Sequence, residues 1–343
     1  MISAVDLAAC RSLLRDGSRS FALAARLLPR SIADAATGLY AFCRVADDLI
    51  DGAGSAPARE RALDGLRRRL DDVYRQQPGE HPEDRVLACL VHDHGVPRAL
   101  PDALLEGFAW DAEGRRYRTL AELEAYGVRV AGTVGLMLCL LMGERRPQQL
   151  ARACDLGIAM QLTNIARDVG EDARAGRLYL PLDWFEAAGL DAAGWLRAPA
   201  HGARLARMVD ALLIRADELY RRGDAGIERL PRGCRPGIRA ARRIYADIGR
   251  TLRRAHLDGV GRRAVVGPGR KALLLGAALR PMPQRGPLWQ APVHPGAADL
   301  VACVGLEGDV VPRSRPNGSL AQTLELFLRL DRRTRLMTGS GNR

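Results

Sequence analysis

Aromatic residues are scarce in this chain: Phe, Trp and Tyr make up 5% of 343 residues. That poverty argues against a surface built to stack nucleobases, which needs repeated aromatic platforms set in a basic groove. Cysteine is equally uninformative as a scaffold. The seven cysteines, at 10, 43, 89, 139, 154, 234 and 303, are odd in number, scattered and without a CxxC pair. They predict neither a disulfide framework nor structural zinc, and they suit a reducing cytoplasm. None of the six histidines, at 81, 92, 94, 201, 256 and 294, has Glu three places before it, so a di-iron bundle is excluded. Alternating strand patterns are rare. The N-terminal MISAVDLAAC has no cationic start and apolar core, and the apolar stretch GTVGLMLCLLMG is too short to span a bilayer. Neither a signal peptide nor a membrane span is expected. There is no GxGxxG dinucleotide fingerprint, and NADPH is not expected as a cofactor.

What is present is charge and helical periodicity. The formal net charge of +12 comes mostly from arginine and suits anionic partners, whether phosphate-bearing small molecules, anionic lipid or nucleic acid. Because the arginines are dispersed, nucleic acid is not expected. Residues 5–280 read as successive helices divided by Gly/Pro punctuation such as PGEHPED and PRGCRPG, which predicts an all-α fold, a single large bundle over residues 1–280. Residues 281–318 are rich in Pro and Gly and read as loop or mobile linker. Residues 319–343 carry Leu320, Leu324, Phe327 and Leu328 on one helical face beside a basic end. This is the pattern of a helix docked on the core or lying on a membrane surface.

Two acidic stretches carry the chemistry. In YAFCRVADDLID, Tyr40, Arg44, Asp47 and Asp51 share one side of a helix with Asp48 beside them, while Phe42, Val45, Ala46, Leu49 and Ile50 lie opposite. A solvated acidic face would look the same. In MQLTNIARDVGEDARAGRLYLP, Gln161, Asn164, Asp168 and Asp172 form one stripe at i, i+3, i+7 and i+11 on a helix that is otherwise largely apolar. Carboxylates and amides in a buried helix line a polar cavity or bind an ion.

Facing one another, the two stripes offer hard oxygen ligands of the kind Mg²⁺ prefers, with Mn²⁺ as its substitute, and diphosphate is the natural completion of such a shell. Without a cation, each pair of like charges about 4 Å apart costs roughly 4 kcal/mol at an effective dielectric of 20. Arg44, Arg167 and Arg177 are candidate phosphate holders, because the guanidinium fork matches phosphate oxygens. Each is equally able to form an ion pair with a neighbouring carboxylate. GSRSF at 17–21 sets a polar, cationic pair before a helix, as either a phosphate contact or a cap.

These two motifs, with GSRSF, AYGVRVAGTVGLM (125–137) and IYADIGRTL (244–252), resemble the squalene/phytoene synthase family, in particular its bacterial phytoene-forming members, over residues 10–280. The resemblance implies an isoprenoid synthase bundle with a central cavity. It also implies Mg²⁺-dependent head-to-head joining of two geranylgeranyl diphosphates through prephytoene diphosphate to phytoene, a step of carotenoid biosynthesis. Squalene-type synthesis from farnesyl diphosphate is the nearest rival. Matched position by position, Asp47, Asp51, Asn164, Asp168 and Asp172 are the implied metal ligands. Ser18, Arg19, Ser20, Tyr40, Arg44, Gln161 and Arg167 are the implied diphosphate contacts. Tyr126, Tyr179 and Tyr245 match cavity tyrosines, with Tyr40 and Tyr126 the leading candidates for catalysis. A buried tyrosine satisfied by backbone is the plain alternative for each, and Phe21 is either a ring face for a cation or core.

The chain departs from the family at LDGVGRRAVVGPGRK (257–271), where Leu257 stands in place of a tyrosine, and Arg263 and Lys271 are the candidate phosphate contacts there. Apolar substrate tails, basic charge and the basic end of the chain together lead to an expected site of work in the cytoplasm, peripherally at the inner face of the membrane.

Overall fold

Apolar residues recurring every three or four positions, with proline in the first turn of α4, α5, α9, α13 and α14, account for a chain that is helical throughout its described part. The computed structural model describes residues 2–17, 19–283 and 286–306. Its helices are α1 (Ala4–Gly17), α2 (Arg19–Ala25), α3 (Arg30–Asp51), α4 (Ala56–Tyr74), α5 (Pro82–His94), α6 (Ala99–Ala112), α7 (Leu120–Gly127) and α8 (Thr133–Leu141). They continue with α9 (Pro147–Arg174), α10 (Leu182–Ala187), α11 (Ala192–Arg197), α12 (Ala203–Ile227), α13 (Arg235–Arg254), α14 (Pro268–Ala278) and α15 (Ala298–Leu306). No strand occurs among the described residues, in agreement with the all-α expectation.

The axis of the bundle is α9. It packs most extensively against α12 and also against α8, α13 and the π-helical turn Val128–Gly132 that joins α7 to α8. Backbones approach closely here. A Cβ at Gly157 would stand 2.4 Å from the Ala131 carbonyl oxygen, and one at Gly135 would stand 2.5 Å from that of Ala153, so only hydrogen fits at either position. The continuous helical run Leu120–Leu141 is long and apolar enough to cross a membrane by length and composition. The shorter apolar window read from sequence understates it. Its residues pack against α6 and α9, and most of them are buried in the bundle, which is the setting of a core helix.

Two expectations need correction. Leu49, placed in sequence on the apolar side of α3 opposite the acidic residues, is 43% exposed. Residues 286–306, read as loop or mobile linker, instead form two 3-10 turns and α15, and they pack on α9, α12 and α6. The reason is a set of polar anchors invisible to a periodicity reading: Arg152 donates to the carbonyls of Leu288 (2.6 Å), Trp289 and Pro292, and His294 pairs with Glu124 at 3.1 Å. The expected helix at 319–343 lies outside the described residues.

Candidate functional site

The first stripe projects from the C-terminal half of α3. Tyr40, Arg44 and Asp47 are partly buried, while Asp48 and Asp51 are exposed. Arg44 holds Asp48 at 2.6 Å and lies 3.9 Å from Asp47. Gly17, at the end of α1, meets Tyr40 so closely that a Cβ there would stand 2.3 Å from the tyrosine hydroxyl, and Phe21 stacks on the same ring at 5.6 Å. The second stripe, on α9, is the less buried side of the helix: Gln161, Asn164, Arg167, Asp168 and Asp172 are partly exposed, while Leu162, Thr163, Ile165, Ala166 and Val169 between them are buried.

The stripes face each other. Arg177, three residues past the end of α9, pairs with Asp51 on α3, its Nη1 3.3 Å from Oδ2. Between the stripes sits a carboxylate that the sequence reading missed, Asp111 at the end of α6, which accepts hydrogen bonds of 2.7 Å from the hydroxyls of both Tyr126 and Tyr179. Its charge is felt by Asp47 and Asp172 alike. In sequence Asp111 looks like any acidic residue closing an apolar helix (ALLEGFAWDA). The paired tyrosines, fifteen and sixty-eight positions away, are the signal, and it is visible only in three dimensions.

Burial and like charge dominate the electrostatics. Asp47 is pushed up to about 6, by burial first and then by Asp51, with Arg44 opposing. Asp172 is pushed up to about 7 by burial and Asp168, and burial takes Asp111 to about 6 despite its two tyrosine donors. Asp168 goes the other way: burial works to raise it, yet Arg167 and Arg263 together hold it below the ordinary carboxylate range. Both donate to its Oδ1 at 2.7 Å. Burial lifts the Tyr40 hydroxyl to about 12.

Two cavities meet at this site. A polar one of about 400 Å³ is lined by Ser20, Arg44, Arg167, Arg263 and Lys271. An apolar one of about 280 Å³ runs along α8 and α9 past Val134, Leu138, Leu156 and Met160. Phe21, Tyr40, Asn164 and Tyr245 line both and mark where they join. The segment in which the chain departs from the family, 257–271, is fastened to α9 by a backbone hydrogen bond from Gly170 to the Gly259 carbonyl. A Cβ on Gly170 would stand 2.5 Å from Val260 Cα. That contact delivers Arg263 to Asp168 and both Arg263 and Lys271 to the polar cavity.

Of the remaining candidates, Gln161 lines the apolar cavity rather than the polar one, whereas Tyr126 lines neither. Tyr179, next to Asp172 and Arg177, borders a recess too narrow to hold a water molecule. Ser18 and the side chain of Arg19 lie outside what the structure describes.

The donor set suits a hard divalent cation. Asp47, Asp51, Asp168 and Asp172 supply carboxylate oxygens, and the buried Asn164 Oδ1 has no hydrogen-bond partner. Among the described residues no three His, Cys, Asp or Glu side chains converge into a ready cage. Magnesium keeps waters and phosphate oxygens in its shell, and carboxylates and an amide oxygen are the donor chemistry it takes.

Comparison with known proteins agrees with this geometry. The model of the family described as squalene/phytoene synthase matches residues 14–270. A phytoene synthase from Rhodobacter capsulatus is 51% identical over 275 residues, 80% of this chain and 81% of its own length. One from Cereibacter sphaeroides is 47% identical over 335 residues, 94% of this chain and 93% of its own, so the likeness continues beyond residue 280. Among solved structures, a dehydrosqualene synthase in complex with a ligand superposes with a TM-score of 0.72 at 33% identity, over 80% of this chain and 95% of that one. With an arginine-lined polar cavity that joins an apolar one beside two facing acidic stripes, whose aspartates line neither cavity, this chain belongs to the squalene/phytoene synthase family.

Proposed function

We propose that this protein joins two geranylgeranyl diphosphates head to head, through prephytoene diphosphate, to make phytoene for carotenoid biosynthesis. The single observation that carries the reading is the junction of the two cavities at Tyr40, Phe21, Asn164 and Tyr245. There a diphosphate in the arginine-lined space places its prenyl tail in the apolar one. The relatives at 51% and 47% identity are both phytoene synthases, which favours the C20 substrate over the C15 substrate of squalene-type synthesis.

In this reading Arg44, Arg167, Arg263 and Lys271 hold the diphosphates and keep hold of the one that departs, the three arginine forks exchanging Asp48 and Asp168 for phosphate oxygens. Asp47, Asp51, Asn164, Asp168 and Asp172 would hold Mg²⁺, which neutralises the leaving diphosphate and so favours ionisation of the allylic C–O bond. The double bond of the second substrate attacks the allylic cation. The cyclopropyl diphosphate so formed ionises in turn, rearranges and loses a proton. The apolar walls keep water from intercepting the cations, which would end the reaction as an alcohol. Tyr126 and Tyr179 line neither of these cavities; with their protons committed to Asp111, they position that carboxylate between the two motifs.

The enzyme works at the inner face of the cell membrane, where its substrates and product reside. The formal charge of +12 supports this placement. Incubation of the purified protein and Mg²⁺ with farnesyl and geranylgeranyl diphosphates, offered separately and together, tests the assignment. Phytoene from the C20 substrate is expected, and a C30 product alone would transfer the protein to the squalene-type branch. Flotation with anionic liposomes, before and after removing residues 319–343, tests the membrane placement.

A further inference from the structure

The apolar cavity ends on polar residues. Along α9 its lining passes from Asn164 at the junction to Gln149, fifteen residues and about 22 Å of helix away, a span suited to an extended C20 chain. At that far end stand Gln149 and Arg152, both buried. Neither belongs in a hydrocarbon site without a reason. Gln149 donates to the Gly226 carbonyl at 3.1 Å. Arg152 donates to the carbonyls of Leu288, Trp289 and Pro292, and its Nε lies 2.8 Å from Asp155 Oδ2, out of line for a hydrogen bond.

The segment beyond is clamped in place. Trp289 lies against the guanidinium groups of Arg229 (4.4 Å) and Arg146 (5.8 Å), and His294 is tied to Glu124, which is itself held by Arg215. Arg152 therefore has a cavity on one side of its contacts and a stretch of chain outside the family's matched region, 14–270, on the other. A buried guanidinium is costly to desolvate, and three carbonyl acceptors offset that cost only while residues 288–292 stay where they are.

From this arrangement we infer that Arg152, braced from behind by residues 288–292, is the floor of the prenyl-tail cavity and sets the chain length the enzyme accepts. The inference rests on the proposed function. It makes the segment after residue 280 part of the specificity machinery rather than a linker. It also gives one position where depth is decided: shortening Arg152 extends the cavity toward the segment, and enlarging the neighbouring cavity-lining Ala153 shortens it.

The test uses the full chain and the Arg152→Ala/Asp155→Asn double variant, which removes both charges together so that neither is stranded. Trp289→Ala and Ala153→Leu accompany it. Each protein is offered C15, C20 and C25 prenyl diphosphates. In a separate reading without turnover, its melting temperature is followed with the C20 and C25 thiodiphosphates. For the double variant, kcat/KM for C25 over that for C20 is expected to rise about tenfold, the low end of what a better-fitting apolar contact confers. Trp289→Ala moves the ratio in the same sense by less, Ala153→Leu turns preference toward C15, and the thermal shifts follow the same order.

Unchanged ratios in variants that keep wild-type helicity overturn the inference. If the double variant does not fold, Trp289→Ala and Ala153→Leu decide it by the same ratios. A wild-type protein inert toward C20 would strike at the proposed function instead, and then the thermal shifts alone judge the floor.

Discussion

Arg177 spans the gap between the two acidic motifs: it follows α9 in the chain, yet its guanidinium pairs with Asp51 on α3, with Nη1 3.3 Å from Oδ2. Burial lowers its proton affinity, and Asp51, with Tyr179 and Asp111, more than restores it, so the group stays charged. The pair is a latch between the two halves of the site. Arg177→Met should cut kcat/KM for the C20 substrate by about a hundredfold, the scale of removing one well-placed charge donor, whereas Arg177→Lys recovers part of it. Steady-state kinetics at saturating Mg²⁺ measures both.

Replacing Asp47 or Asp168 with Ala should abolish Mg²⁺-dependent diphosphate release, a fall of at least about a hundredfold, while circular dichroism shows helicity retained. Asp168→Ala also leaves Arg167 and Arg263 without their shared carboxylate. Wild-type turnover by either variant would remove these residues from the metal and diphosphate machinery.

Asn164 Oδ1 is the buried, unpartnered acceptor of the site. Its removal in Asn164→Ala should raise the Mg²⁺ concentration for half-maximal activity by about ten- to a hundredfold, the range for losing one group around a metal. Titration of activity against Mg²⁺ at fixed substrate reads the shift. An unchanged midpoint means that the oxygen serves something other than the cation.

At Gly157 a side chain would meet the Ala131 carbonyl at 2.4 Å, a backbone atom that cannot swing aside. Gly157→Val should therefore destabilise the protein by about 1–3 kcal/mol or more, the cost of overpacking, and lower the urea midpoint with little change in slope.

Glu124 supplies a pH dependence. Burial raises its proton affinity, but His294 and Arg215 together lower it below the ordinary value, so the folded state prefers the carboxylate. The sign follows: this contribution is whole above the unfolded value near 4.5 and fades as pH falls through the lower folded value. Melting temperature measured from pH 7 to pH 3.5 should fall less steeply in Glu124→Gln than in wild type, from a lower start.

Much of this architecture is readable from residue order. Helical periodicity and Gly/Pro punctuation foretell the all-α body, because amphipathic faces are a local property of sequence. Asp168 and Asp172 stand on one less buried side of α9 for the same reason. What escapes is whatever depends on a distant partner. Asp111 acquires meaning only from Tyr126 and Tyr179, and residues 288–294 are anchored by Arg152 and Glu124, whereas α15 docks by its own apolar Val301 and Val304. The Pro/Gly texture fits 286–297, which form only 3-10 turns, but it hides the helix α15 that follows. It does not signal where its carbonyl groups find donors.

The backbone bond between Gly170 and Gly259 fixes a reference point from which residues are counted. Arg263 lies four residues beyond it and already touches Asp168, so an insertion between 259 and 263 would carry the guanidinium out of reach. Added length is harmless only where nothing downstream has to be measured from the splice. Engineers grafting this loop between related enzymes should therefore move both glycines and the arginine as one cassette.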